Sequence, residues 1–178
     1  MIRVRTPFRI DKNLGLAYNE EFALCPDGDW LCLIDHDVLF LTPDAVNIME
    51  LYVEKYPDTG LFTCFTNRIH PLAINQLVDG VPSDNDCIGY WQERAYNQKR
   101  LLPQVTPIGH EVSGFLMLIS KAVWQSVGGF LDTGVALGVD NKFSWRLLHA
   151  GKSIARMDAL LVWHSYRLKD IKDKSHLH

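Results

Sequence analysis

The sequence predicts an α/β protein, on three observations. Strand-like and helix-like segments alternate along the 178 residues, a pattern that places a sheet between helical layers. One strand, Trp30-Leu31-Cys32-Leu33-Ile34, has no polar face, so it belongs in mid-sheet with both sides covered. That strand then breaks abruptly into Asp35-His36-Asp37, and the carboxyl end of a strand is where such sheets gather ligands.

The elements follow in order. Residues 2–6 alternate apolar and polar until Pro7 stops them, a short strand. Asp11 caps a helix over 12–24, with Leu14, Ala17, Tyr18 and Glu21 on one face, so Tyr18 is expected to face something important. Pro26-Asp27-Gly28-Asp29 is a turn before the apolar strand. Apolar residues resume at 38–41, and Thr42 (N-cap) and Pro43 (first position) open a helix to Lys55. A strand over 60–65 precedes polar loops between 67 and 106 that hold one helix near 86–98. Loops of this kind carry specificity on a rigid scaffold. Then come a strand (115–120), a short helix (121–127) closed by Gly128-Gly129, and a helix (139–150) ended by Gly151. Two short strands follow, 153–157 and 160–163. Length suits one core, so 1–167 is read as one domain and 168–178 as a charged, mobile tail.

Composition excludes several classes. A net charge of −3 leaves no basic footprint for nucleic acid, and no Lys/Arg run suggests a membrane surface. No apolar run reaches the roughly 18 residues of a spanning helix. Met1-Ile2-Arg3-Val4-Arg5 lacks a signal-peptide core, so the expectation is a cytoplasmic protein without a transmembrane segment. Cys25, Cys32, Cys64 and Cys87 show no metal-type spacing and read as reduced thiols, Cys32 and Cys64 inside apolar strands.

In an extended chain Asp35 and Asp37 would share a face. Two close carboxylates repel, and a cation removes the conflict. Mg²⁺ and Mn²⁺ take one or two carboxylates plus substrate phosphates, so the pair suits a metal–diphosphate site. A solvated strand-end turn is the competing reading.

Four segments resemble the GT-A glycosyltransferases, especially the family 2 type. Asn13-Leu14-Gly15-Leu16-Ala17-Tyr18-Asn19 is similar to that family's Asn-x-Gly-x-Ala-x-Asn helix start, and Trp30 to Asp37 to its strand plus Asp-x-Asp. Ser113 to Ser120, with Val127-Gly128-Gly129-Phe130, resembles the segment beside the donor sugar. Gly138-Val139-Asp140 through Leu147, then Ala150-Gly151, resembles the Gly-Glu-Asp helix. The last parts also resemble polypeptide N-acetylgalactosaminyltransferases, through Asp140-Asn141-x-x-Ser144-x-Arg146 and Trp163-His164-Ser165-Tyr166-Arg167. The first comparison implies inversion at the transferred carbon, the second retention.

The resemblance implies a GT-A-like (Rossmann-like) domain with a mixed central sheet flanked by helices. It implies Mn²⁺ or Mg²⁺, a UDP-sugar donor, and a sugar, protein or glycolipid hydroxyl as acceptor. By position alone His164, between Trp163 and Tyr166, reads as a structural histidine; the resemblance instead implies that Asp37 and His164 would hold the metal, and Asp35 the ribose or the metal through water. Ser113 and Gly114 would lie beside the donor. Asp140 would be the base of an inverting enzyme, though it also stands where a helix cap belongs. Lys142 replaces the family's second carboxylate. The family places further β-α units before the Asn-x-Gly helix. Here the nucleotide-binding half reads as shortened, with Thr6, Pro7, Phe8, Asn13 and Tyr18 left to hold the nucleotide. Trp91, Trp124 and Trp145 stand at helix-face spacings and read as core more readily than as sugar platforms. Trp91 is the best of them for stacking on an acceptor sugar, and His110-Glu111, more simply an ordinary loop pair, could also touch acceptor. The alternatives are a nucleotide-sugar-binding module without turnover and a nucleotidyltransferase. The latter needs a Gly-rich loop that Pro7-Phe8-Arg9-Ile10 does not supply.

Overall fold

A computed structural model describes residues 1–70 and 73–166. Arg167 and the tail expected over 168–178 lie outside the described residues. Strand β1 (Ile2–Arg5) pairs parallel with β2 (Trp30–Ile34), and helix α1 (Leu14–Leu24) connects them. Strand β3 (Val38–Phe40) leads to α2 (Ala45–Lys55) and β4 (Leu61–Thr66). Helix α3 (Ile88–Gln98) precedes β5 (Val105–Ile108), β6 (Leu116–Ser120) and α4 (Lys121–Ser126), and α5 (Val139–His149) leads to β7 (Ile154–His164). The sheet has seven strands in the order β1-β2-β6-β4-β7-β3, with β5 also on β7.

Both faces of β2 are buried, as its unbroken apolar run requires. Trp30 and Cys32 join a core with Ala45, Ile48, Met49 and Tyr52 of α2. Leu31 and Leu33 join a second core with Tyr18 and Phe22 of α1, Val123 of α4 and Phe143 and Leu147 of α5. The chain is therefore a single Rossmann-like α/β domain with a mixed, open sheet flanked by helices. No described helix is long and apolar enough to cross a membrane.

Local chemistry moves some boundaries. Asn13, not Asp11, caps α1: its Oδ1 accepts from the Leu16 amide at 3.2 Å, while Asp11 accepts from the Asn13 amide. Phe22 replaces Glu21 on the buried face. Any Cβ at Gly15 would collide with the Leu131 carbonyl, so glycine there sets how closely α1 approaches that loop. Asp44, not Thr42, stands at the start of α2, and its carboxylate takes the Lys99 ammonium at 2.6 Å rather than capping the helix. Gly138, not Asp140, occupies the cap position of α5.

The two short strands expected at 153–157 and 160–163 are one strand, β7. Its register on β4 jumps from Cys64↔Met157 to Phe65↔Leu161. Three residues thus bulge out of the ladder, and their polar groups find partners elsewhere. The Asp158 amide donates to the Gln104 carbonyl, the Ala159 amide to the Tyr52 hydroxyl, and the Asp158 carboxylate accepts from Thr106 and Arg156. Strand β5 has no counterpart in the sequence reading, because Val105-Thr106-Pro107-Ile108 is short and carries a proline.

Trp91 is core, the reading its helical spacing favours, and not a platform for an acceptor sugar. It is 0 % exposed, packed with Leu41, Ala95 and Leu161, and its Nε1 donates to the Asn85 carbonyl at 2.7 Å. A ring without exposed surface cannot carry an acceptor sugar. Trp91→Ala is expected to cost about 3–5 kcal/mol of stability in urea unfolding. A loss below about 1 kcal/mol would contradict this packing. Trp124 is also spent internally, stacked on Phe22 at 5.2 Å.

Candidate metal centre

The sheet's topology sets where polar groups meet. Strands β1, β2, β4 and β7 point the same way, since β6 runs antiparallel to both β2 and β4, and β7 is parallel to β4. Their carboxyl ends share one edge, which therefore receives Asp35, Asn67 and His164.

Asp35-His36-Asp37 is a turn rather than an extended run: the Val38 amide donates back to the Asp35 carbonyl at 3.2 Å. The shared face expected from strand geometry is therefore not the reason the carboxylates converge. The register of β3 on β7 supplies it instead. Val38 pairs with His164, and the Ser165 amide donates to the Asp37 carbonyl at 3.0 Å. This sets His164 Nε2 3.2 Å from Asp37 Oδ1. Ligand atoms of Asp35, Asp37 and His164 all lie within 4.8 Å of one another. Two carboxylates and an imidazole form a donor set that could hold a divalent metal ion.

Electrostatics separates the carboxylates. Burial pushes the Asp35 carboxyl up to about 6, and Asp37 and Asp140 add to the rise while His164 opposes it. Burial alone would also raise Asp37, but the His164 hydrogen bond and charge, together with His36 and a main-chain hydrogen bond, hold Asp37 below the usual range. Asp140 is raised by burial, against amide hydrogen bonds from Asn141 and Gly114. The Tyr18 phenol is pushed well up by burial and by Asp35 and Asp140. The fold thus brings Asp35, Asp37, His164, Asp140, Gly114 and Tyr18 to one end of the sheet.

Asp140 stands in the first turn of α5. Its Oδ2 accepts from the Gly114 amide at 2.7 Å and its Oδ1 from the Asn141 amide at 2.9 Å. A Cβ at Gly114 would lie 2.8 Å from the Asp140 Cβ, so only glycine admits this approach. Ser113 is clamped from the other side. Its amide donates to Gln76 Oε1 at 2.8 Å and its carbonyl accepts from Gln76 Nε2 at 3.0 Å.

The nucleotide candidates divide. Thr6 and Phe8 are exposed just past β1, Phe8 at 82 %, with Pro7 half-buried between them. Asn13 is engaged within the chain, capping α1 and donating to Asp132 Oδ1 at 2.6 Å. The Asn-x-Gly helix start thus fastens α1 to the 129–132 loop, where Asn19 also bonds both main-chain groups of Phe130. Among the acceptor candidates, Trp145 rather than Trp91 is open, 52 % exposed. It lines a cleft of about 310 Å³ with His110, Glu111 and His149.

Sequence reasoning missed Gln76 and Asn67. Gln76 lies in a loop region without periodicity, so nothing local marked it. Asn67 carried a usable signal, being the polar residue that ends a buried strand, as Asp35 does. Among the described residues, Asn67 Nδ2, His164 Nδ1 and Trp163 Nε1 are buried without partners. Each such group costs about 1–3 kcal/mol.

No protein-family model matches the chain, and no curated protein matches it.

The raised Asp35 fixes the sign of a pH effect. Between about pH 4 and 6 the folded chain binds this proton more tightly than the unfolded chain. Metal-free protein therefore loses stability from Asp35 as pH rises through that window, on the order of 2–3 kcal/mol. Urea unfolding of chelated protein at pH 4.5 and pH 7, beside Asp35→Asn, measures it. An equal pH response in the two proteins would refute it.

Proposed function

We propose that this chain is a Mn²⁺- or Mg²⁺-dependent glycosyltransferase of the GT-A type. It would move a sugar from a nucleotide-diphosphate donor, UDP by expectation, to a hydroxyl of a sugar, protein or glycolipid. The observation that carries the reading is the meeting of Asp35, Asp37 and His164 at the carboxyl edge of the sheet, with Asp140 held on the Gly114 amide next to Phe115, whose carbonyl accepts from the Asp35 amide. A divalent ion held by such a donor set would stabilise the negative charge of a departing diphosphate. Cytoplasmic location is part of the same proposal.

Asp37 and His164 would hold the ion directly, and Asp35 would complete the set or bind the ribose. When bound, the ion neutralises charge that develops on the departing diphosphate. Asp140 receives the acceptor proton if the configuration inverts. Burial lifts its proton affinity toward the working range of a general base, and each oxygen keeps a lone pair beyond its amide hydrogen bond. If the configuration is retained, Asp140 positions a substrate hydroxyl. Gln76 and Asp140 keep the Ser113-Gly114 main chain rigid from both sides. The Tyr18 phenol stays protonated, a neutral neighbour to the carboxylates. Thr6, Pro7 and Phe8, beyond β1, are the surface offered to the nucleotide.

A binding module without turnover is the second reading, favoured by the amide hydrogen bonds on both Asp140 oxygens. A panel of nucleotide-sugars with Mn²⁺, assayed for nucleotide release and by calorimetry, separates the two. Release that stops with chelator supports the transferase. Calorimetric binding without release across the panel supports the module.

A further inference from the structure

Asn67 follows β4 directly and is 1 % exposed. Its Oδ1 accepts from the His164 amide at 2.7 Å and from the Thr66 hydroxyl at 3.2 Å. The β4–β7 ladder ends at Thr66↔Val162, so the side chain of Asn67 takes over where the backbone pairing stops. The next amide, Ser165, is held by the Asp37 carbonyl at 3.0 Å. The main chain at His164 is thus fixed from two sides, by the end of β4 and by the Asp-His-Asp turn. The imidazole then stacks 5.5 Å from Phe115 and meets Asp37.

We infer that Asn67 is a positioning residue of the metal centre. By accepting the His164 amide it sets the backbone from which the ring reaches Asp35 and Asp37. The inference rests on the metal-centre reading of those three residues. Leucine would fill a similar volume without a buried, unpartnered Nδ2. What asparagine adds at this position is the acceptor. Its own carbonyl also accepts from the Ser83 amide at 3.0 Å, and neighbouring Arg68 donates to the Ser83 carbonyl at 3.0 Å. The anchor of His164 is therefore itself anchored to the 83–86 loop.

The test is titration of the full chain with MnCl₂ alone, read by the paramagnetic resonance of free Mn²⁺, beside thermal unfolding. Asn67→Leu and Asn67→Ala are expected to weaken binding about 10–100-fold, the usual effect of losing a group that orients a ligand. Asn67→Asp keeps the acceptor and is expected to bind at least as tightly as the wild type. Phe22→Leu, a core change in α1, should lower the unfolding temperature and leave Mn²⁺ affinity unchanged. Folded Leu or Ala variants with wild-type affinity would overturn the inference, as would an Asp variant as weak as the Ala variant. If Asn67→Ala does not fold, Asn67→Leu decides. A wild type that fails to bind Mn²⁺ overturns the metal centre itself, whereas wild-type binding with indifferent variants removes only the role of Asn67.

Discussion

Asp37→Ala is expected to lower Mn²⁺-dependent nucleotide release by about 10³-fold or more, since the ion contributes several kcal/mol of charge stabilisation. Asp37 is the carboxylate whose pKa is lowered, His164 being the main cause that opposes burial, and it is the partner held 3.2 Å from the imidazole. Its side chain retains 31 % exposure, so removal leaves no large void, and the unfolding temperature should shift by only a few degrees. Turnover and unfolding measured on the same preparation give the answer. A folded variant with wild-type turnover would sink the transferase reading. A variant that loses Mn²⁺ binding in parallel with turnover would support it.

Asp140→Asn carries the second large effect. Loss of a general base is expected to lower kcat by about 10²–10⁴-fold with little change in the KM for the donor. The substitution also has a structural cost. Both Asp140 oxygens accept backbone amides, so an Asn nitrogen would face one N–H donor. That conflict costs about 1–3 kcal/mol. The two effects separate by measuring kcat at a temperature where the variant is fully folded. An unchanged kcat there, with a lowered unfolding temperature, would assign Asp140 to holding Gly114 alone.

The elements that were legible are those whose burial is written locally. Trp30 to Ile34 has no polar position, so its place between two cores followed from composition. Asp35-His36-Asp37 was visible for the same reason, as charge where apolar sequence stops. Where burial depends on distant partners, the sequence was silent or misleading. Asp158 read as a break between two strands, but Gln104 and Tyr52 take up the amides of the bulge. Trp91 was the best of three platform candidates because its helix lies among polar loops, but Leu41 and Leu161 close over it.

The candidate site divides along the same line. The sequence by itself determined the α/β layering, the central position of β2 and the acidic turn at its carboxyl end, because side-chain polarity along a short segment decides whether that segment can be buried. Only the tertiary structure decided that His164 meets Asp37, that Asp140 closes on Gly114, and that Gln76 and Asn67 hold the main chain around them. The contacts of His164 with Asp37 and Asn67 depend on strand order and on the register of β3 and β4 against β7, and those of Asp140 and Gln76 on how α5 and the 74–76 turn pack beside the segment before β6. Register is a property of paired strands, fixed by packing over the whole sheet, and no single segment contains it.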